Sequence, residues 1–190
     1  MTIGIMGFED GEYATILSVA LAVMASSGRW KRILILEMNQ EGRYYRIGHF
    51  YKATMKNAEG CFQIDRIEFV PNAGIKDAMK WAAQEGVFLV LDCGSDLKAY
   101  QSINHICNQT ILLCNLLPWK LNHVVDILEQ RKFSWNKILV TRGKSNIDYI
   151  QRKTGYHMTF WKGIEDPFCL SKEKLRELYQ LIQGKSITTK

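Results

Sequence analysis

Short, continuously apolar segments recur along this 190-residue chain, and each has about the length of a β-strand. Residues 32–37 read RILILE, residues 87–92 read VFLVLD, and residues 110–115 read TILLCN. In a strand with one face in water, apolar and polar residues alternate. An unbroken apolar run is instead typical of a strand that is buried on both faces of a parallel sheet. The chain is therefore expected to form a sheet with helices packed on both faces.

The same criterion predicts about seven strands, namely Thr2–Met6, Ile33–Glu37, Gln63–Val70, Phe88–Asp92, Thr110–Asn115, Lys137–Thr141 and Tyr156–Trp161. Segments of helical period lie between them, at Tyr13–Ser27, Ile75–Gln84, Leu97–Ile106, Lys120–Gln130, Asn146–Lys153 and Ser171–Gln183. This alternation implies right-handed crossovers and a doubly wound, mostly parallel α/β sheet. We predict one domain over residues 1–184 and a flexible tail over 185–190. Ligands of such sheets bind in the loops that follow the strands.

Composition excludes few function classes. The formal net charge of +6 permits binding to nucleic acid or to an anionic membrane without requiring either. The five cysteines form no CxxC pair, which argues against a disulfide framework or a zinc site. The longest apolar stretch, residues 14–25, is shorter than the roughly 20 residues of a membrane span. A cytoplasmic location is therefore expected, with any membrane contact made through a partner.

Three loop segments at strand ends share a layout with one known family. The first strand is followed by GFEDGEYAT at residues 7–15, the second ends in ILILEMNQEG, and a later one reads FLVLDCGS. In this order and content the chain resembles, over nearly its whole length, the ParA/MinD-type P-loop ATPases. That group also includes ATPase-like proteins of pilus assembly and bacterial capsule tyrosine kinases. The resemblance implies a P-loop NTPase-like fold and a nucleotide site formed by Gly7, Gly11, Thr15, Glu37 and Asp92.

The first loop departs from the family pattern G-K-G-G-x-G-K-T-T. With Gly7 as the first glycine, Phe8 stands at the signature lysine and Tyr13 at the catalytic lysine, while Ala14 replaces the magnesium-binding Thr or Ser. Glycines let the loop approach phosphates, and the lysine neutralises charge that develops during phosphoryl transfer. We therefore expect a vestigial site, with no catalytic residue, no metal and no cofactor. ATP and magnesium belong to the alternative hypothesis, an atypical ATPase of the same fold.

Acidic residues occupy the turn where the family binds phosphate. Glu9, Asp10 and Glu12 would repel a triphosphate, and they can instead complement the dipole of the following helix. We favour that capping role over a divalent-metal site, because the carboxylates have no diagnostic spacing. For Asp92, at a strand end, we expect a hydrogen bond to the N-terminus of the next helix.

Aromatic and basic residues interleave in RYYRIGHFYK, residues 43–52. The pattern can bind single-stranded nucleic acid, or it can form an amphipathic helix that buries Tyr45, Ile47 or Phe50, and we favour the helix. A third interpretation is a protein-binding face, since Tyr and Arg are enriched at interface hot spots. The candidate partner-binding residues are Arg43, Tyr44, Arg46, Trp119 and Lys120.

Three functions follow as hypotheses from these features. The favoured one is a catalytically inactive ParA/MinD-like protein that binds, positions or scaffolds a protein partner, for instance in a cell-envelope or pilus-like assembly. The first alternative is the atypical ATPase, and the second is a non-specific nucleic-acid-binding module. The resemblance also implies that two copies can pair as a homodimer, here without nucleotide as the trigger.

Overall fold

The computed structural model describes residues 1–8, 11–53, 60–129 and 135–183. Eight strands form one sheet: β1 Thr2–Gly7, β2 Arg32–Glu37, β3 Phe62–Ile64, β4 Ile67–Val70, β5 Val87–Asp92, β6 Gln109–Asn115, β7 Lys137–Arg142 and β8 Met158–Phe160. Their spatial order is β3-β4-β2-β5-β1-β6-β7-β8. Every neighbouring pair is parallel except β3 with β4. The predicted doubly wound, mostly parallel sheet is confirmed.

Within the described residues six α-helices lie between strands and a seventh follows β8: α1 Gly11–Ser26, α2 Arg43–Phe50, α3 Ile75–Ala82, α4 Leu97–Ile103, α5 Leu121–Glu129, α6 Ile147–Thr154 and α7 Lys172–Gln183. Short 3-10 turns precede or extend them at Asn104–Ile106, Pro118–Lys120 and Lys144–Asn146. The helix predicted to reach Gln130 is described only to Glu129, and the predicted domain boundary at residue 184 lies outside the described residues.

The apolar strands separate two hydrophobic cores, one on each face of the sheet. One core contains Leu89 and Leu91 together with residues of α4, α5 and α6, and the other contains Ile3 and Ile5 together with residues of α1 and α7. Successive side chains of a strand point to opposite faces, so unbroken apolar runs supply both cores at once. Helix α1 is buried over most of its surface, which explains its nearly uniform apolar sequence.

The strand predicted over Gln63–Val70 is wrong in one respect, because it is two strands. Residues 65 and 66 form a turn between β3 and β4, which pair antiparallel. Asp65 adopts φ 50° there, a left-handed conformation that Asp tolerates better than most residues. The apolar pattern on both sides of Asp65 conceals the turn, so the prediction merged a hairpin into one strand.

None of the described helices is both long enough and apolar enough to cross a membrane. The last of them, α7, buries Leu178 and Leu181 against the sheet and is capped at its start, where Ser171 Oγ accepts a hydrogen bond from the amide of Lys174 at 3.2 Å. Its apolar face therefore belongs to the core of the domain.

Candidate functional site

The start of α1 is closely covered by the loops that follow β2 and β5. A Cβ on Gly11 would lie 2.9 Å from Glu41 Oε1 and 2.9 Å from the amide nitrogen of Ser95. The end of β1 is held against the same loop, because the amide of Gly7 donates to the carbonyl of Gly94 at 2.7 Å. Gly11 is thus required by close packing of neighbouring loops, and these loops approach the first turn of the helix directly.

Asp92, the last residue of β5, lies at the centre of this edge and is fully buried. Its Oδ2 accepts hydrogen bonds from Thr15 Oγ1 and from the Tyr44 hydroxyl, each at 2.8 Å, and its Oδ1 accepts from the amide of Gly94 at 2.8 Å. Burial raises the pKa of Asp92, and these donors together with the nearby Arg43 charge oppose that rise. The carboxylate joins α1, α2 and the loop after β5.

The role expected for Asp92 at the next helix is wrong. The N-cap of α4 is Asp96, whose Oδ1 accepts hydrogen bonds from the amides of Lys98 at 2.8 Å and Ala99 at 3.1 Å. Asp92 precedes the N-cap position by four residues, and its side chain is instead bonded to Thr15 and Tyr44. An acidic residue nearer the helix start was present in the sequence and was the better capping candidate.

Arg43 extends from the first turn of α2 to the first turns of α1. Its Nη1 donates to Thr15 Oγ1 at 3.2 Å, and its Nη2 forms an ion pair with Glu41 Oε2. Glu41 Oε1 in turn accepts a hydrogen bond from Ser95 Oγ at 3.2 Å. Arg43, Thr15, Asp92, Tyr44, Glu41 and Ser95 therefore form one connected polar cluster, which we call the edge network.

Glu37, at the end of β2, is connected to the edge network through the backbone of Arg43. It is 1% exposed, and its Oε1 accepts the amide of Arg43 at 2.7 Å. Gly42, the N-cap residue of α2, offers no side chain, so Glu37 caps that helix from the neighbouring strand. Burial raises the pKa of Glu37, while the amides of Arg43 and Tyr44 oppose the shift.

The residues predicted to form the vestigial nucleotide site therefore lie close together in the structure. Gly7, Gly11, Thr15, Glu37 and Asp92 all lie at the carboxyl edge of the sheet, around the start of α1. Arg43, expected above as a partner-binding residue, links α2 to the start of α1, and Ser95 is not among the predicted site residues. Arg43 begins α2 after β2 and Ser95 lies in the loop after β5; these two strands are neighbours in the sheet, and that adjacency is the signal in the sequence.

The acidic turn is only partly described. Glu9 and Asp10 lie outside the described residues, and Glu12 is exposed in the first turn of α1. The two positions of the family lysines hold packed aromatics. Phe8 is 7% exposed with its ring centroid 4.8 Å from that of His123, and Tyr13 lies 6.3 Å from Trp161 in edge-to-face geometry.

The candidate partner-binding residues separate into buried and exposed sets. Tyr44 is 0% exposed and directed at Asp92, so its assignment to a partner-binding face is wrong. The predicted helix is confirmed over Arg43–Phe50, and Ile47 packs half-buried against the core as expected. The buried tyrosine is Tyr44, while Tyr45 and Phe50 are 37% and 78% exposed. Tyr44 takes the buried position that was predicted for Tyr45, because its hydroxyl donates to Asp92.

Two other candidates stay on the surface. Trp119 is 76% exposed in the turn before α5, and Arg46 is exposed on α2, where its Nη2 donates to the carbonyl of Glu41 at 3.1 Å. Lys120 and Arg43 are half-buried. Among the described residues no group of three or more His, Cys, Asp or Glu is arranged to hold a metal ion, and none of the five cysteines forms a disulfide bond.

The oxygens at this edge that could contact a magnesium-nucleotide include those of Thr15, Asp92 and Glu37. Thr15 is hydrogen-bonded with Asp92 and Arg43, Asp92 accepts from three donors, and Glu37 Oε2 is buried with no hydrogen-bond partner among the described residues. Arg43 is ion-paired with Glu41, and a second arginine, Arg142, lies 6.0 Å from the centroid of the Tyr13 ring in the first turn of α1. The carboxylates of Glu37, Glu41 and Asp92 thus stand beside Arg43, an arrangement that does not fit a phosphate chain.

The strand order and the solved structures that superpose on it define the fold, which is that of the P-loop NTPase-like α/β proteins. Within that class the chain has a ParA/MinD-like fold. MinD from Aquifex aeolicus superposes with a TM-score of 0.60, 13% identity and coverage of 100% of this chain and 99% of that one. A ParA family ATPase from Chlorobium tepidum TLS gives 0.57, 11% identity, 97% and 92%.

MinD from Pyrococcus horikoshii OT3, solved in complex with Mg-ADP, gives a TM-score of 0.56 at 16% identity, over 94% of this chain and 86% of that one. At such identities the likeness establishes the fold alone. No protein-family model matches the chain. A sequence comparison with curated proteins also returned no match.

Proposed function

We propose that this chain is a catalytically inactive ParA/MinD-like protein that acts by binding a protein partner. The observation that carries the proposal is the hydrogen bond of Arg43 to Thr15, which completes the edge network at the start of α1. The side chains at this end of α1 bond to one another, and the network joins α1, α2 and the loop after β5.

Charge supports the same conclusion. Phosphoryl transfer is catalysed mainly by fixed positive charge around the transferred group. In this chain Tyr13 stands at the catalytic-lysine position, and Arg43 is neutralised by Glu41. Glu12 adds an exposed carboxylate in the first turn of α1. A second arginine, Arg142, lies 6.0 Å from the centroid of the Tyr13 ring, but the turn of residues 7–15 itself offers a triphosphate no lysine or arginine.

A binding role agrees with the exposed residues on the same side of the molecule. Trp119 is 76% exposed and Arg46 is exposed, and both residue types are enriched at interface hot spots. One structural neighbour, from Aquifex aeolicus, was solved as a complex of MinC with MinD; it has a TM-score of 0.62 and 13% identity over 100% of this chain and 98% of that one. We propose a protein partner, a cytoplasmic location and membrane contact only through that partner.

A phosphate-release assay tests the loss of activity. We expect no release above the protein-free blank from millimolar Mg-ATP. A Tyr13→Lys, Ala14→Thr double variant is the informative companion, because it restores two family residues while leaving the edge network in place. We expect it to stay inactive. Turnover by the unmodified chain would overturn the proposal and favour the atypical ATPase.

A second candidate function, binding of single-stranded nucleic acid, is favoured by one observation. Phe50 and Tyr51 are 78% and 45% exposed beside the exposed bases Arg46 and Lys52. Exposed rings can stack on bases while cations contact phosphates. The test is a gel-shift titration at two salt concentrations with an Arg46→Glu, Lys52→Glu variant.

For the nucleic-acid candidate, the control is a Lys76→Glu, Lys80→Glu variant, which changes the charge equally on α3. Retardation that weakens with salt and is lost only in the α2 variant would support it. Equal behaviour of both variants would count against it.

A further inference from the structure

The sheet ends at β8, whose outer edge has no neighbouring strand among the described residues. In the β7–β8 pair, Met158 lies opposite Ile138 and Phe160 opposite Val140. The amide of Trp161 donates to the carbonyl of Val140 at 2.9 Å. Since backbone groups alternate sides along a strand, those of Thr159 and Trp161 face β7 and those of Met158 and Phe160 face outward.

A groove of about 940 Å³ runs along this outer edge. One wall is the start of α6 with the turn before it, including Lys144 and Ile147, and the other is the face of α7 that carries Arg176 and Gln180. The floor is β8 itself. An open edge strand can pair with the sheet of another molecule and cause aggregation. The two helices that flank β8 restrict the approach of a whole sheet, and the groove between them has the size for a single extended chain.

Charges in the groove indicate what such a chain would carry. Lys174 and Glu177 pair with each other at 2.8 Å on α7. Near the carboxyl end of β8, Lys162 is exposed and Lys144 Nζ lies 5.5 Å from the centroid of the Phe160 ring. The remaining lining charges are Arg176, Asp148 and Glu173. The lining thus carries four cations, Lys144, Lys162, Lys174 and Arg176, against three carboxylates, Asp148, Glu173 and Glu177, so the groove is slightly positive on a chain whose formal net charge is +6.

We propose that the edge of β8 is a docking site for an extended, acidic segment of a partner protein, which pairs with Met158 and Phe160 as a ninth strand. Main-chain hydrogen bonds supply affinity in this mode, and alternate side chains supply specificity. A second copy of this chain is the less favoured occupant, because two copies would each bring a net charge of +6. The inference concerns a surface away from the edge network and stands whether or not the chain hydrolyses ATP.

The test is selection of phage-displayed random dodecapeptides on the intact chain, followed by titration of synthetic copies by fluorescence anisotropy. We expect the selected peptides to alternate β-branched with acidic residues. Phe160→Pro removes one outward amide and leaves the β7 ladder intact, so it should weaken binding about two- to tenfold, the effect of one hydrogen bond. Phe160→Ala keeps the amide and separates the contribution of the ring.

N-methylation of alternate amides in the peptide repeats the test on the unmodified chain, so the result does not depend on how Phe160→Pro folds. Loss of binding on methylation of one set of amides, and not of the other, supports strand pairing. Equal affinity of methylated and unmethylated peptides would overturn the proposal, as would failure to select peptides that protect the amides of Met158 and Phe160. A dimer in sedimentation that Phe160→Pro dissociates would assign the edge to a second copy instead.

Discussion

Asp92 shows how one buried carboxylate organises the site at the residue scale. It is fully buried, yet it receives hydrogen bonds from Thr15, Tyr44 and the amide of Gly94. A buried charge is costly unless such donors surround it. The side chains that stabilise Asp92 are therefore also those that fill the edge, and removing any one of them should be measurable.

Tyr44→Phe should destabilise the chain by about 1–3 kcal/mol, because a buried acceptor loses a donor while the ring is retained. Urea unfolding measures the change. The control is Tyr149→Phe, which removes the same hydroxyl from a residue that is 50% exposed on α6 and should change the free energy of unfolding by less than about 0.5 kcal/mol. Equal effects of the two changes would contradict the edge network as described.

The pH dependence of stability provides a second test of Asp92. Burial raises its pKa above the ordinary 3.8, so between pH 3.8 and the native pKa the folded chain keeps a proton that the unfolded chain releases. The unfolding free energy contributed by this group therefore falls as pH rises from about 3.8 through the native pKa. Asp92→Asn removes that dependence, and its unfolding free energy should improve relative to the unmodified chain between pH 4 and pH 7.

The matched control for this pH series is Asp148→Asn, which removes one exposed carboxylate from α6. It measures the effect of removing one negative charge at the surface. A difference for Asp92→Asn that is constant, or that moves in the opposite direction, would contradict a raised pKa at Asp92.

Individual side chains were harder to predict than their neighbourhood. The apolar pattern predicts that Asp92 ends a strand and that Thr15 lies near the start of a helix. The hydrogen bond between them, and the burial of Tyr44 in place of Tyr45, depend on how α2 packs across the edge. Sequence periodicity in an eight-residue helix does not determine that rotation, because both tyrosines suit an amphipathic face.

At the scale of elements, the loops after β2 and β5 are packed tightly enough to require glycine. Gly94 adopts φ +54°, and a Cβ there would lie 2.8 Å from Asn39 Nδ2 and 3.0 Å from Glu41 Oε1. Asn39 Nδ2 also donates to the carbonyl of Asp92 at 3.1 Å. The two loops thus hold each other in one arrangement over the start of α1.

Gly94→Ala should cost about 2–5 kcal/mol, from left-handed backbone strain and from overpacking. Gly155→Ala is the control, since Gly155 has φ +76° and nothing within 4 Å of an added Cβ. It should cost only about 1–2 kcal/mol, the strain alone. Thermal and urea unfolding of both variants give the comparison, and equal costs would show that the loops are not closely packed.

The strands that sequence analysis located best are the central ones. β2, β5 and β6 are buried on both faces, so their sequences are continuously apolar and their bounds shift by one residue at most. The β3–β4 hairpin at the edge was missed because its turn contains Asp65 and Arg66 with no glycine or proline. A turn made by an aspartate at positive φ leaves little signal in composition.

At the scale of the whole molecule, the fold is that of nucleotide-binding proteins, while the side chains of the edge network favour a role without nucleotide. The ParA/MinD-like topology places the start of α1 and the ends of β2 and β5 at one edge, as in a nucleotide-binding protein. The side chains at that edge bond to one another. Our proposal is that the chain keeps the fold of these ATPases and uses its surface, including the open β8 edge, to bind partners.

Isothermal titration with Mg-ATP and with Mg-ADP tests this account most directly. The positive control for ADP is MinD from Pyrococcus horikoshii OT3, which was solved with Mg-ADP. We predict no saturable heat for either nucleotide up to millimolar concentration, because Thr15 is hydrogen-bonded to both Asp92 and Arg43. Micromolar, magnesium-dependent binding of either nucleotide to the unmodified chain would contradict it.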